Sequence, residues 1–137
     1  MGCDLSVLIV CFHDDAVLFP CLASLVDHPD PLDFEVVVVD NAASAVTARR
    51  LAADYPSVRL VPSPSNTGYA GGNNLAFANA RGRYVLFLNP DTIVHPGALR
   101  AMVDRADGLP NFGALGPKVL NPDRSEERRV GRVYGTV

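Results

Sequence analysis

Leu5-Ser6-Val7-Leu8-Ile9-Val10-Cys11 is the stretch on which the fold turns. Six of its seven side chains are apolar, and polar and apolar positions do not alternate. A strand with one wet face alternates, whereas a strand covered on both faces does not. Strands of the second kind belong to parallel sheets packed between helices. Three more short runs share this character: residues 34–39 (FEVVVV), 58–61 (VRLV) and 84–88 (YVLFL).

Helical spacing fills the gaps between these runs. Leu18, Cys21, Leu22 and Leu25 fall at i, i+3, i+4 and i+7, with Pro20 expected in the first turn, where its missing N–H does no harm. Ala48, Leu51, Ala52 and Tyr55 repeat the spacing behind Ser44, an N-cap residue, and Pro56 stops the run. Leu99, Met102, Val103 and Ala106 do so behind Pro96, expected at the first helical position. A weaker pattern predicts a helix over residues 72–80. The resulting order, βαβαβαβα, predicts a Rossmann-like, doubly wound, mostly parallel α/β sheet with right-handed crossovers.

The chain has 137 residues, 48% apolar and 20% charged, the size and balance of one globular domain. That composition excludes wholesale disorder, a collagen-like repeat and a disulfide scaffold. Twelve Lys and Arg against fifteen Asp and Glu give a formal charge of −3, which argues against a phosphate-backbone partner such as nucleic acid. An anionic ligand would need something other than net charge to hold it. Cys3, Cys11 and Cys21 form no CxxC pair and read as reduced, packed thiols. No apolar run approaches the roughly 20 residues of a membrane span, and no basic segment precedes the first strand as in a signal peptide. The expected location is the cytoplasm, with the inner face of the membrane compatible.

In a sheet of this kind all strand carboxyl ends open on one edge, where ligands sit. The residues that matter therefore follow the strands. Asp40 ends the second strand, where a ribose-binding acid of a dinucleotide fold would stand. The first turn, residues 11–15 (CFHDD), contains no glycine, so backbone cannot approach a pyrophosphate there and an NAD site is excluded. Glycines occur instead in residues 66–74 (NTGYAGGNN), with three Gly and three Asn. That stretch reads either as a turn into the third helix or as a loop whose amides contact a polar ligand. Asn89-Pro90-Asp91 follows the fourth strand directly. It reads either as an Asx turn or as a divalent-metal site, since Mg²⁺ and Mn²⁺ take oxygen ligands from one or two carboxylates plus substrate phosphates. His13, His28 and His95 show no metal-ligand spacing and receive no role.

Together, LSVLIVCFHD, CLASL, VVVVDNAAS, NTGYAGGNNLAFANARGRYVLFLNPDT and GALGPKVLNPD resemble the family 2 glycosyltransferases of the GT-A fold, in particular the rhamnosyltransferase-like branch. The resemblance runs from about Leu5 to Asp123. It implies a transferase that moves a sugar from a dTDP- or UDP-linked donor to a glycan or lipid-linked acceptor, with inversion, in cell-wall or polysaccharide biosynthesis. It places Phe12 at the nucleotide base and Asp40, helped by Asn41, at the base or ribose. Asn66, Gly68, Gly71, Gly72 and Asn74 would border ribose and diphosphate. Asn89 and Asp91 fall in the family's DXD-type motif, with Asp91 the ligand of Mg²⁺ or Mn²⁺ and Asn89 standing where the first acid is expected. Where relatives commonly carry Thr-Tyr-Asn, this chain has Cys11-Phe12-His13. The general base is implied in an acceptor-binding second half, beyond this chain. A binding fragment without transfer activity is the alternative.

From Arg124 the composition changes abruptly, and the run 124–131 resembles a translated sequencing adapter. The expectation is a truncated donor-binding part over residues 1–123 and a foreign tail over 124–137. Without that tail, eight basic residues face thirteen acidic ones, a formal charge of −5 that sharpens the need for a bridging cation.

Overall fold

The computed structural model describes residues 2–27, 30–123 and 125, and the backbone of 134–135. Four parallel strands, β1 (Leu5–Cys11), β2 (Phe34–Asp40), β3 (Arg59–Pro62) and β4 (Tyr84–Leu88), form one sheet in the order β3-β2-β1-β4. The register runs Leu5 opposite Phe34 and Cys11 opposite Asp40 on one side of β1, and Leu5 opposite Tyr84 on the other. Helices α1 (Asp15–Val26), α2 (Ala45–Asp54), α3 (Gly68–Phe77) and α4 (Ala98–Asp107) alternate with the strands. The doubly wound α/β expectation holds.

The continuous apolar run of β1 is explained by its two covered faces. Leu5, Val7, Ile9 and Cys11 pack with Leu18, Leu22 and Leu25 of α1, Leu51 of α2, and Leu99 and Val103 of α4. Leu8 and Val10 point the other way, into a second cluster with Val37, Val39, Val61 and Ala76 of α3. The chain therefore reverses its direction of travel across the sheet between β1 and β4, the topological position at which ligands enter folds of this class.

Ser6 is the polar exception in β1, fully buried, and it closes the opposite edge of the sheet. Its hydroxyl donates to Glu35 Oε1 at 2.7 Å and accepts from the amide of Gly82 at 2.7 Å. A Cβ on Gly82 would lie 2.3 Å from the Ser6 backbone nitrogen, so only glycine lets the chain enter β4 here. Arg81 and Arg59 complete the cluster around the Glu35 carboxylate.

Several local expectations are corrected. Pro20 lies in the interior of α1, not in its first turn. Pro20 and Ala16, whose carbonyl loses its i+4 donor, are both exposed, the setting in which a helix interior tolerates a proline. Pro96 precedes the cap of α4, which is Gly97 at φ +84°. Helix α3 begins at Gly68 rather than Gly72 and absorbs most of the glycine-rich stretch. Ser44 does cap α2, accepting from the Thr47 amide at 3.2 Å.

A short antiparallel pair, β5 (Phe112–Ala114) with β6 (Tyr134–Gly135), had no counterpart in the sequence pattern. His28 and most of the 124–137 segment, including Glu126 and Glu127, lie outside the described residues. Among the described residues no helix is long and apolar enough to cross a membrane.

Candidate functional site

The parallel sheet brings Phe12, Asp40, Asn41, Asn66, Gly68, Asn89 and Asp91 to its carboxyl edge, because each lies in or next to a strand end or at the start of α3. Asp40 and the turn after β4 are separated by β1. Two strand spacings put them about 10 Å apart across the rim.

Asp40 is buried, and both of its carboxylate oxygens already have partners. Oδ1 accepts from the amide of Ala42 and Oδ2 from the amide of Ser44, each at 2.9 Å. The carboxylate thus shapes its own turn, within which Ala43 adopts φ +49°. Its remaining acceptor capacity is shared with the neighbouring Cys11 thiol, which hydrogen-bonds the same carboxylate. Burial, followed by the negative charge of Asp40, pushes the thiol of Cys11 up to about 12, so this cysteine stays a neutral packing group.

Asn41 is also buried, and its amide works wholly inside the protein. Nδ2 donates to the Gly68 carbonyl at 3.0 Å. Oδ1 accepts from Ser63 Oγ at 3.0 Å and from Thr67 N and Oγ1 at 3.3 and 3.1 Å. Its own backbone amide donates to the Cys11 carbonyl at 2.9 Å. Ser63 and Thr67 were not singled out from the sequence. The signal that points to them is indirect: a buried Asn at a strand end needs polar neighbours from elsewhere in the chain.

The glycines of α3 serve close packing. A Cβ on Gly72 would lie 2.6 Å from Val10 Cγ1, and one on Gly71 would lie 2.7 Å from Thr67 Cβ. Gly68 alone uses its freedom of backbone, at φ +70°, and its amide donates to Asn66 Oδ1 at 3.0 Å. Asn66 and Asn74 are exposed, the first before α3 and the second on its second turn.

After β1, Phe12 is 47% exposed, enough of its ring to stack with a planar ligand. Its amide donates to Asp14 Oδ2 at 2.9 Å, and its ring meets that of His13 edge-on at 4.5 Å. His13 itself sits at φ +56°. The turn after β4 is braced within itself, where the Thr92 hydroxyl donates to the Asn89 carbonyl at 2.8 Å, and from α1, where Ser24 Oγ accepts from the Val94 amide at 3.0 Å.

Asp91 differs from Asp40 in being exposed, and among the described residues no hydrogen bond or ion pair engages its carboxylate. The described residues contain no group of three His, Cys, Asp or Glu able to cage a metal. A hard cation here fits a shell of one carboxylate, waters and ligand phosphates, which is how Mg²⁺ is usually bound. A groove of about 640 Å³ lies elsewhere, along β4 against Met102, Val103, Phe112 and Leu115, away from the rim.

Comparison with known proteins places these features in a family. The model of glycosyl transferase family 2 matches residues 6–133. N-acetylglucosaminyl-diphospho-decaprenol L-rhamnosyltransferase of Mycobacterium tuberculosis is 33% identical over 101 residues, covering 66% of this chain and 33% of that protein. The succinoglycan biosynthesis protein ExoO of Rhizobium meliloti is 42% identical over 74 residues, covering 53% of this chain and 21% of that protein. The chain thus spans a third or less of the length of these relatives.

Among solved structures, the mannosyltransferase PcManGT from Pyrobaculum calidifontis, in complex with GDP-Man and Mn²⁺, superposes with a TM-score of 0.71. It is 23% identical, and the match covers 90% of this chain and 37% of that one. TarS of S. aureus in complex with UDP gives 0.68 at 22% identity, covering 85% and 41%. These likenesses establish the fold as the Rossmann-like α/β architecture of GT-A glycosyltransferases. With the family model matching nearly its whole length, the chain belongs to glycosyl transferase family 2.

Proposed function

We propose that residues 1–123 form the donor-binding part of an inverting, metal-assisted glycosyltransferase that takes a dTDP- or UDP-linked sugar. The observation that carries this reading is the pairing of two unlike carboxylates on one rim. Asp40 is buried and fixed by two amides, while Asp91, across β1, is exposed and uncommitted. One suits a neutral hydrogen-bonding ligand edge, and the other suits charge.

In this reading the base lies against Phe12, and Asp40 accepts from base or ribose. Asn66, Gly68 and Asn74 border ribose and diphosphate, with Asn41, Gly71 and Gly72 supporting them from beneath. Asp91, with the amide oxygen of Asn89 beside it, would hold Mg²⁺ or Mn²⁺. A divalent cation bound there supplies neutralisation of the diphosphate's charge. The reaction is displacement at the anomeric carbon: the bond to the acceptor oxygen forms as the bond to the diphosphate oxygen breaks, and the acceptor proton passes to a base. That base is an Asp or Glu of an acceptor-binding region, and the acceptor is a glycan or lipid-linked sugar. Action at the inner face of the membrane accords with such an acceptor.

Calorimetric titration with UDP and dTDP, with and without Mn²⁺, tests the reading. Binding should strengthen with metal, and Asp91→Ala should abolish that gain while leaving the metal-free affinity in place. Metal-independent binding, or binding of NAD instead, overturns it. Turnover with a sugar donor and acceptor then separates transfer from binding alone.

A further inference from the structure

We infer that Asn41 is a positioning residue, whose buried amide fixes the start of α3 to the ends of β1 and β2 and so sets the shape of the donor rim without touching the ligand. The inference rests on the donor-site reading above. It explains why an amide, rather than a second acid, follows Asp40. The segment it holds, residues 63–68, leaves the sheet after β3 and carries the exposed Asn66 and Gly68. Nothing in that segment reaches the sheet through apolar burial, since residues 64–68 are exposed and only Ser63 is buried. Its attachment is polar, and Asn41 provides most of it.

The chemistry of the amide is used on both sides. Oδ1 takes protons from Thr67 N and Oγ1 and meets the Ser63 hydroxyl, whose single proton is shared with the Ser65 carbonyl at 2.6 Å. Nδ2 donates to the carbonyl of Gly68. A carboxylate at this place would satisfy the first set and set a negative oxygen against the Gly68 carbonyl, where a donor is required. A ligand atom bonding to Oδ1 would have to displace these donors. Gly72 supplies an independent sign of how closely the amide is packed: a Cβ there would lie 3.3 Å from Nδ2, beyond its collision with Val10. The amide is therefore enclosed by the elements it joins.

The test is a double-mutant cycle in nucleotide affinity, using the full chain with Mn²⁺ and UDP, dTDP and GDP as probes. Asn41→Asp is expected to weaken all three alike by about tenfold, because the rim is displaced and no base-specific contact is lost. Thr67→Val removes one donor to the same oxygen, so in the Asn41→Asp background it should add little, whereas independent ligand contacts would multiply. A loss confined to one nucleotide, multiplied factors, or an unchanged affinity overturns the inference. Circular dichroism shows whether Asn41→Asp folds. If it does not, Thr67→Val and Ser63→Ala decide alone, uniform weakening supporting the inference and unchanged affinity sinking it. Failure of the parent chain to bind any of the three nucleotides would instead sink the donor-site reading, and this inference with it.

Discussion

Gly72 of α3 packs so tightly against Val10 of β1 that a Cβ at position 72 would lie 2.6 Å from Val10 Cγ1 and 3.0 Å from its Cγ2. The helix can cross the sheet at this distance only because one side chain is missing. Gly72→Ala should therefore destabilise the chain by about 1–3 kcal/mol, the usual cost of overpacking a well-filled core. Val10 is β-branched and buried, so it has no easy rotamer to escape into. Val10→Ala in the Gly72→Ala background should recover part of the loss. Urea denaturation of the two single variants and the double variant reads both effects, and simple additivity would refute the contact.

The same contact shows where sequence pattern stops being informative. The strands were legible because burial on both faces leaves long apolar runs, and β1 and β4 have the boundaries their sequences predict. The rim was legible too, since a parallel sheet fixes where strand ends lie. What pattern could not give was the use of each rim residue. Asp40 and Asn41 are adjacent polar residues in sequence. In the fold one holds its own turn and the other ties down a segment some 25 residues away. The glycine-rich stretch ahead of Gly72 read as a turn or a loop because glycine is a poor helix former. Most of it is helical, and at Gly72 close packing against Val10 of β1 outweighs propensity. Pro20 was misplaced for a related reason: its cost depends on whether water reaches the Ala16 carbonyl, and that is a property of the surface.

Asp30 caps a helix to which it does not belong. Its buried carboxylate accepts from the amide of Arg100 at 3.0 Å and from that of Gly97, two of the free N–H groups that open α4. Gly97 offers no side chain to do this itself. Asp30→Ala should cost about 1–2 kcal/mol, the upper part of the range for N-cap losses. Hydrogen exchange should show faster exchange at the start of α4 than in α2, whose Ser44 cap is untouched. Uniform acceleration across both helices would contradict a local cap.

Acid should loosen the edge of the sheet opposite the rim. Burial raises the Glu35 pKa, but hydrogen bonds from Ser6 and Arg81 outweigh it and hold the carboxyl below its ordinary value of 4.5. A group with a depressed folded-state pKa adds stability above the unfolded value and loses it as pH falls through the folded one. The contribution is therefore complete at neutral pH and fades below about 4.5. Glu35→Gln should lower the urea midpoint at pH 7 and narrow the difference between pH 7 and pH 3. An unchanged pH 7 midpoint would show that the cluster contributes nothing.

The thiols titrate in the opposite sense. Burial raises the pKa of Cys11 to about 12 and that of Cys21 in the same direction, both from 9.0. A thiol that resists ionisation when folded contributes stability below the unfolded value and loses it as pH rises through the folded one. Stability should hold to about pH 9 and decline above it, and Cys11→Ala should flatten that alkaline limb relative to its own value at neutral pH. Reactivity follows the same logic, because the thiolate is the nucleophile. Cys11 and Cys21 are buried, whereas Cys3 is partly open to solvent. A disulfide reagent at pH 8 should label one thiol in the native chain, at Cys3, and all three after denaturation in urea. Native labelling at Cys11 would mean that β1 opens at its carboxyl end. The rim would then be a mobile edge, and the fixed geometry that the proposed role of Asp40 requires would be lost.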